Sequence, residues 1–224
     1  VETNDLNAAS SVLLECSRAL EAQVLMHWHQ QYPSRSFFGD AIANKSLFAL
    51  SDIRRICGVV VLNESQPPEW SAAAWHVQEP PFLVIHAFAI APNLQGRGLG
   101  KHLLRFCEAW AKERSYASIR LDAFSENSTA LRFYERQDYV FRGEVQFASK
   151  PLGHQRYYCY EKSLLRNGQS AQPNNSVNRP LRGFAPVTSS VRRHKVVPRN
   201  IVMSTTTGSV VALEQAPRAK PSNY

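Results

Sequence analysis

Gln95-Gly96-Arg97-Gly98-Leu99-Gly100-Lys101 is the stretch that decides the fold of this chain. An apolar run over residues 82–90 precedes it and reads as a buried strand. A helical pattern over residues 98–114 follows, with Leu99, Leu103, Leu104, Phe106, Cys107 and Trp110 recurring on one side. A strand, a glycine-rich turn and a helix in that order make an anion site. The first helical N–H groups have no partner inside the helix, and the helix dipole places partial positive charge there. The glycines allow positive φ and close approach of the backbone to a ligand. Arg97 and Lys101 add charge at the same place.

The spacing narrows the ligand. A Walker A loop needs four residues between its glycines and then Lys-Ser or Lys-Thr; here Lys101 is followed by His102, so no hydroxyl is placed for Mg²⁺. The dinucleotide fingerprint needs Gly-x-Gly-x-x-Gly, whereas these glycines fall at 96, 98 and 100. What remains is Gln-x-x-Gly-x-Gly, which resembles the pyrophosphate loop of the GNAT superfamily of acetyl-CoA-dependent N-acetyltransferases. A second block supports the resemblance. Ile119-Arg120-Leu121-Asp122, Asn127, Leu131-Arg132-Phe133-Tyr134-Glu135 and Tyr139 are similar to the superfamily's closing strand, turn and helix, about thirty residues after the first block. Upstream, Gln31-Tyr32-Pro33-Ser34-Arg35 is similar to the link between the first two helices of small bacterial members. The resemblance covers residues 1–164.

The chain reads as helix (5–31, with Asp5 as N-cap), short helix (36–44), strands (47–50 and 57–63), an ambiguous stretch (70–75) and the cofactor strand (82–90). A helix (98–114), a strand (117–123), a helix (128–137) and a final strand pair (139–147 and 156–164) complete it. This is an α/β order. The resemblance implies the GNAT fold: a mixed, mostly antiparallel sheet splayed between its fourth and fifth strands, with helices on both faces. Family members carry a strand before the position of Asp5, where this sequence has only Val1-Glu2-Thr3-Asn4, so the first strand is expected to be truncated and the sheet to lack an edge.

Charge divides the chain in two. Residues 1–164 hold 17 Lys+Arg and 17 Asp+Glu, whereas residues 165–224 hold 9 Lys+Arg against Glu214 alone, which accounts for the whole net charge of +8. The expected organisation is an acetyltransferase domain over 1–164 and a basic, flexible tail over 165–224, in which residues 201–203 and 209–213 could pair as a weak hairpin. Nucleic-acid binding is an expectation for the tail only, through Arg192-Arg193-His194-Lys195. Cys16, Cys57, Cys107 and Cys159 form no CxxC pair, which leaves zinc and redox motifs without support and points to reduced, buried thiols. With no membrane-length apolar run and no signal-like opening, the expectation is a cytoplasmic protein without a membrane partner.

What the resemblance implies for chemistry is acetyl transfer from acetyl-CoA, as co-substrate and without a metal, to an amine acceptor. Phe88, Ala89 and Ile90 would offer backbone to the pantetheine arm, with the Phe88 amide facing the thioester carbonyl. Gln95, Gly96, Arg97, Gly98, Leu99, Gly100 and Lys101 would hold the pyrophosphate, and Asn127 the arm, although Asn127 also suits a helix N-cap. An alkylamine of pKa about 10.4 must lose a proton before it attacks. Asp122 stands where ribosomal-protein acetyltransferases carry a catalytic glutamate, and His86 matches a pocket histidine of arylalkylamine acetyltransferases; a water wire is the third option. Tyr134 takes the place of the proton-donating tyrosine. The family's glycine before the last strand pair is replaced by Asp138, which tolerates a left-handed backbone. His27, Trp28, His29, Tyr32, Phe37, Phe38, Trp70, Trp75 and His76 gather in regions that line the acceptor side of the family. The reading leaves room for a homodimer, and two other functions compete with it: an idle acyl-CoA sensor, and a basic-tail-directed RNA- or ribosome-associated factor.

Overall fold

The computed structural model describes residues 3–23, 25, 34–52 and 55–165, together with the pairs 201–202 and 211–212. The order is α1 (Thr3–Glu21), α2 (Arg35–Ala43), β1 (Leu47–Asp52), β2 (Ile56–Asn63), a 3-10 turn (Pro68–Ala72), β3 (Phe82–Ile90), α3 (Leu99–Glu113), β4 (Ser118–Phe124), α4 (Ser128–Glu135), β5 (Val140–Gln146) and β6 (Arg156–Ser163). Two short strands, β7 (Ile201–Val202) and β8 (Val211–Ala212), follow. The sheet runs β5-β6-β4-β3-β2-β1-β7, with β8 also on β1. Every pairing is antiparallel except β3 with β4.

The main core joins one face of each helix to the sheet. Ala9, Val12, Leu13 and Cys16 of α1 recur at helical spacing and are buried, as are Leu99, Leu103, Leu104, Cys107 and Ala111 of α3. Phe106 and Trp110, expected on the buried side of α3, pack partly exposed against Phe48 of β1 at 5.4 and 4.6 Å between ring centroids. Within the strands, period-two alternation separates two faces. Leu83 and Ile85 of β3, Leu121 and Ala123 of β4 and Tyr160 of β6 belong to the main core. Val84, Phe124, Tyr157 and Cys159 face the other way, into a smaller cluster closed by Trp70. By the same alternation Asp122 and Arg120 lie on the Trp70 side, and so does Glu161.

Two expectations are corrected. The helix expected over residues 5–31 begins at Thr3 and ends at Glu21, so Asp5 lies inside it rather than capping it; of the expected remainder, residues 24 and 26–31 lie outside the described residues. Its buried face runs out after Ser17, and the Leu20 carbonyl closes the end by accepting from the N–H groups of Gln23 and Leu25. The hairpin expected within residues 201–213 is not formed by the described pairs. Ile201–Val202 pairs with Asp52 and Ser51, and Val211–Ala212 with Ala49 and Phe48, so both lie along the outer edge of β1. An edge strand presents a row of unpaired N–H and C=O groups, and any extended segment that satisfies them is favoured there. Asp138 takes the left-handed conformation expected of it, with φ 64°. All four cysteines are free and buried.

Candidate active site

The site begins where two parallel strands part. β3 and β4 pair only through Phe82–Ser118, Leu83–Ile119 and Val84–Arg120. Beyond that point β3 keeps only β2 as neighbour, and β4 keeps only β6. In family terms these are the fourth and fifth strands, so the expected splay lies here. On the other side of β3, Val59 pairs with Ala89 but Val61 with His86, so two steps of β2 answer three of β3. The extra residue is accommodated by a bulge at Ala87 and Phe88, with Ala87 at φ 47°. Holding an L-residue there costs about 1–2 kcal/mol. Bulges of this kind re-aim backbone groups beside active sites. Ala87 and Phe88 have no register partner in either neighbouring strand.

Between the diverging strands lies a cavity of about 380 Å³. Ile85, His86, Ala87 and Phe88 form one wall; Asp122, Ala123, Phe124 and Asn127 form the opposite wall; Ala130 and Tyr134 of α4 face it as well. The three residues expected to carry proton transfer, Asp122, His86 and Tyr134, therefore line one space. So do Phe88 and Asn127 of the expected cofactor set. Phe37 of the aromatic acceptor set also lines it, whereas Phe38 is core. His27, Trp28, His29 and Tyr32 lie outside the described residues. Trp70 and Trp75 form a supporting layer, with ring centroids 5.1 Å apart and Trp75 Nε1 donating to the Trp70 carbonyl at 2.9 Å. His76 contributes its backbone: its N–H donates to Glu161 Oε2 at 2.8 Å.

Each titratable group has a defined setting. Asp122 Oδ2 accepts from Trp70 Nε1 at 3.0 Å, and burial pushes the carboxyl up to about 6, against the pull of that bond and of the Lys150 charge. His86 Nε2 lies 3.0 Å from Asn63 Oδ1 and 3.1 Å from the Ser65 carbonyl. Asn63 Oδ1 already accepts from the Ser65 N–H at 2.9 Å, which identifies it as the oxygen. With two oxygens as partners, Nε2 must carry the proton, and Nδ1 is left as the basic atom. Burial lowers the His86 pKa, so the ring is held neutral. Burial raises the Tyr134 phenol above its ordinary value, so it keeps its proton. The Tyr134 ring meets Phe88 edge-on at 6.2 Å.

The glycine loop has the geometry of an anion cradle. Gly96 and Gly98 stand at φ 75° and 81° with open space where a Cβ would go, so their conformation and not crowding requires glycine. Gly98 is the N-cap of α3, and no side chain caps that helix. Gln95 ties the loop to the bulged strand, its Nε2 donating to the Ile90 carbonyl at 3.0 Å. At Gly100 a Cβ would stand 3.5 Å from the Phe133 ring of α4, an ordinary van der Waals contact, so neither packing nor backbone conformation requires glycine there. Asn127 is the N-cap of α4, with Oδ1 accepting from the Ala130 N–H at 3.1 Å. Its amide nitrogen is the part left for a ligand.

Sequence reasoning missed the far wall and its support. Pro67, Phe147, Ser149, Lys150 and Tyr157 complete the cavity. Beneath them Glu161, with no exposed surface, accepts from Arg120 Nε at 3.3 Å, Ser118 Oγ at 3.0 Å and the His76 N–H, and pairs with Arg142 Nε at 3.1 Å. Arg120 also donates to Gln66 Oε1 at 2.8 Å and to the Val77 carbonyl. This network clamps residues 66–77, and thereby Trp70, over Asp122. An acid directly after the Tyr157–Tyr160 run of β6, opposite an arginine in β4, was the signal that could have found it. Among the described residues no three His, Cys, Asp or Glu side chains gather into a metal site, and no helix is long and apolar enough to cross a membrane.

Comparison with known proteins agrees with this architecture. Residues 13–139 match the family model described as "Acetyltransferase (GNAT) family". A streptothricin acetyltransferase of Streptomyces lavendulae is 30% identical over 73 residues, 33% of this chain and 36% of that protein. The match thus spans about a third of that relative's length. Among solved structures, a GNAT-family acetyltransferase from Streptococcus agalactiae superposes with a TM-score of 0.62 at 18% identity, covering 74% of this chain and 94% of its own. A ribosomal-protein alanine N-acetyltransferase from Escherichia coli gives 0.53 at 16% identity, covering 79% and 95%. At such identities the likeness is one of fold.

Proposed function

We propose that this chain, which belongs to the acetyltransferase (GNAT) family, transfers the acetyl group of acetyl-CoA to a primary amine by direct attack in a ternary complex. The observation that carries the reading is that Asp122, His86, Tyr134, Asn127 and the bulged Phe88 line one cavity between parted strands. The residues present fit acetyl-CoA. The uncapped N-terminus of α3, Arg97 and Lys101 suit its pyrophosphate; the backbone of Phe88, Ala89 and Ile90 and the Asn127 amide suit its extended arm. Acetyl-CoA supplies, when bound, an acyl carbon activated as a thioester with a thiol as leaving group.

The chain's own groups then divide the work. Asp122, with a pKa of about 6, is ionised roughly ten to one at pH 7 and takes a proton from the incoming ammonium. His86 stays neutral and offers only Nδ1, so it acts as a secondary proton acceptor. The Phe88 N–H is the donor that stabilises charge on the carbonyl oxygen, worth about 3 kcal/mol by analogy with single oxyanion donors. Tyr134, held protonated, donates to the departing sulfur. A nitrogen–carbon bond forms and a carbon–sulfur bond breaks. Of the two protons the ammonium loses, one balances that given to sulfur and one goes to solvent.

The test is acetyl-CoA turnover with a panel of amines, read as free thiol, beside acetyl-CoA binding by calorimetry. Acceptor-dependent thiol release supports the enzyme. Tight binding without release with any amine supports the sensor, for which nothing in the cavity speaks, since an idle binder has no need of an ionised carboxylate beside a protonated phenol.

A further inference from the structure

We propose that the acceptor is a zwitterion: a small amine that also carries a carboxylate, of the α-amino-acid class, with its amine at Asp122 and its carboxylate at Lys150. This deepens the acetyl-transfer reading of the same cavity and rests on it.

The proposal stands on what faces the cavity. The ionisable side chains in its lining are His86, Asp122, Tyr134, Lys150 and Tyr157. Near neutral pH the charged ones are Asp122 and Lys150, one of each sign. Lys150 is built into the site and is not a stray surface lysine. It sits in the β5–β6 connection, where its N–H donates to the Phe147 carbonyl at 3.0 Å, the Phe147 N–H to the Gln155 carbonyl at 2.8 Å and the His154 N–H to the Pro151 carbonyl at 2.8 Å. Its Nζ lies 5.7 Å from the centre of the Tyr157 ring. The Lys150 ammonium is partly desolvated, which lowers its pKa, while the Asp122 charge supports it.

Such an ammonium discriminates by charge. A carboxylate placed near it forms a charge-assisted contact in surroundings that screen poorly. A polycationic acceptor meets a like charge instead, and among the described lining residues Asp122 is the only carboxylate available to its several amines. Phe124, Phe147 and Tyr157 line the same cavity as an apolar wall, with Tyr157 5.7 Å from Phe124 and 4.9 Å from Phe147 between ring centroids. That wall suits an apolar side chain, and the cavity volume suits a compact molecule.

The experiment compares kcat/KM for an α-amino acid with an apolar side chain, its carboxamide, and the polyamine spermidine, in the wild type, Lys150→Met and Lys150→Arg. The expected result is a preference of roughly 10- to 100-fold for the acid over the carboxamide in the wild type. That ratio falls toward one in Lys150→Met and is retained in Lys150→Arg. A wild type that prefers the carboxamide or spermidine overturns the proposal, as does a ratio unchanged in Lys150→Met. So does acetylation of Lys150 itself, found by peptide mass spectrometry, which would make the lysine an acceptor and not an anchor. Turnover confined to non-zwitterionic amines overturns the inference alone, whereas no thiol release with any amine overturns the acetyl-transfer reading beneath it.

Discussion

Replacing Asp122 by asparagine separates the energetic burden of a buried carboxylate from its use. Burial raises its pKa from 3.8 to about 6, so ionising it in the folded state is penalised by up to about 3 kcal/mol. The sign follows from linkage: the folded pKa lies above the unfolded one, so the penalty is absent below pH 4 and complete above about pH 6. Asparagine keeps an oxygen to accept the Trp70 Nε1 bond and carries no charge. The variant is therefore expected to be more stable than the wild type at pH 7.5, by about 1–3 kcal/mol, and to match it below pH 4. Its kcat/KM is expected to fall by about 10²–10⁴, because the amide cannot take a proton. Wild-type kcat/KM should decline as pH falls through about 6; Asp122→Asn should lack that limb, and His86→Gln should keep it. Urea unfolding at two pH values and a pH–rate profile test both arms. A variant less stable at pH 7.5, or one within tenfold of wild-type activity, would show that Asp122 only anchors Trp70 and would refute the assignment.

Other outcomes follow from the same geometry. Tyr134→Phe should lower kcat by about 10²–10⁴ while calorimetry shows acetyl-CoA affinity retained; unchanged turnover would remove the phenol from the reaction. Gly98→Ala should weaken acetyl-CoA binding and lower stability by about 1 kcal/mol through the positive φ alone, since space for the methyl exists; a neutral result in both would show that the loop tolerates another backbone. Glu161→Ala leaves Arg120 and Arg142 without their buried partner and should cost about 3–5 kcal/mol in chemical unfolding. A loss below 1 kcal/mol would show that the network does not clamp residues 66–77.

How much of this was legible in the sequence depended on whether the signal was local. The glycine loop, the strand before it and the helix after it declare themselves through turn chemistry and apolar period, whereas the splay of β3 and β4 was implied only by the family resemblance. Asp122, His86, Asn127 and Tyr134 could be nominated because the family resemblance gives each a place relative to its motifs, and the structure brings the four to one cavity. Lys150, Phe147 and Tyr157 were not, because the β5–β6 connection and the start of β6 reach the cavity only through sheet pairing, and nothing in their local sequence announces that. The stretch around Trp70 and Trp75 has no period of its own; its shape is set by the distant side chains of Asp122, Arg120 and Glu161. The overlong first helix shows the opposite error. Leu20, Val24 and Leu25 continue the apolar spacing, but the Leu20 carbonyl accepts from the N–H groups of Gln23 and Leu25, which closes the helix, and Leu25 packs against the smaller cluster instead.

If one cavity joins an acyl donor to an amine, thiol and amide must appear together. The most direct measurement is to follow free thiol and N-acetylated product together, with acetyl-CoA and an amino-acid acceptor, in the wild type and in Tyr134→Phe. The two products are expected in equal amounts, dependent on acceptor, with both falling together by about 10²–10⁴ in the variant. Thiol without acetylated amine, or equal rates in the two proteins, would contradict it.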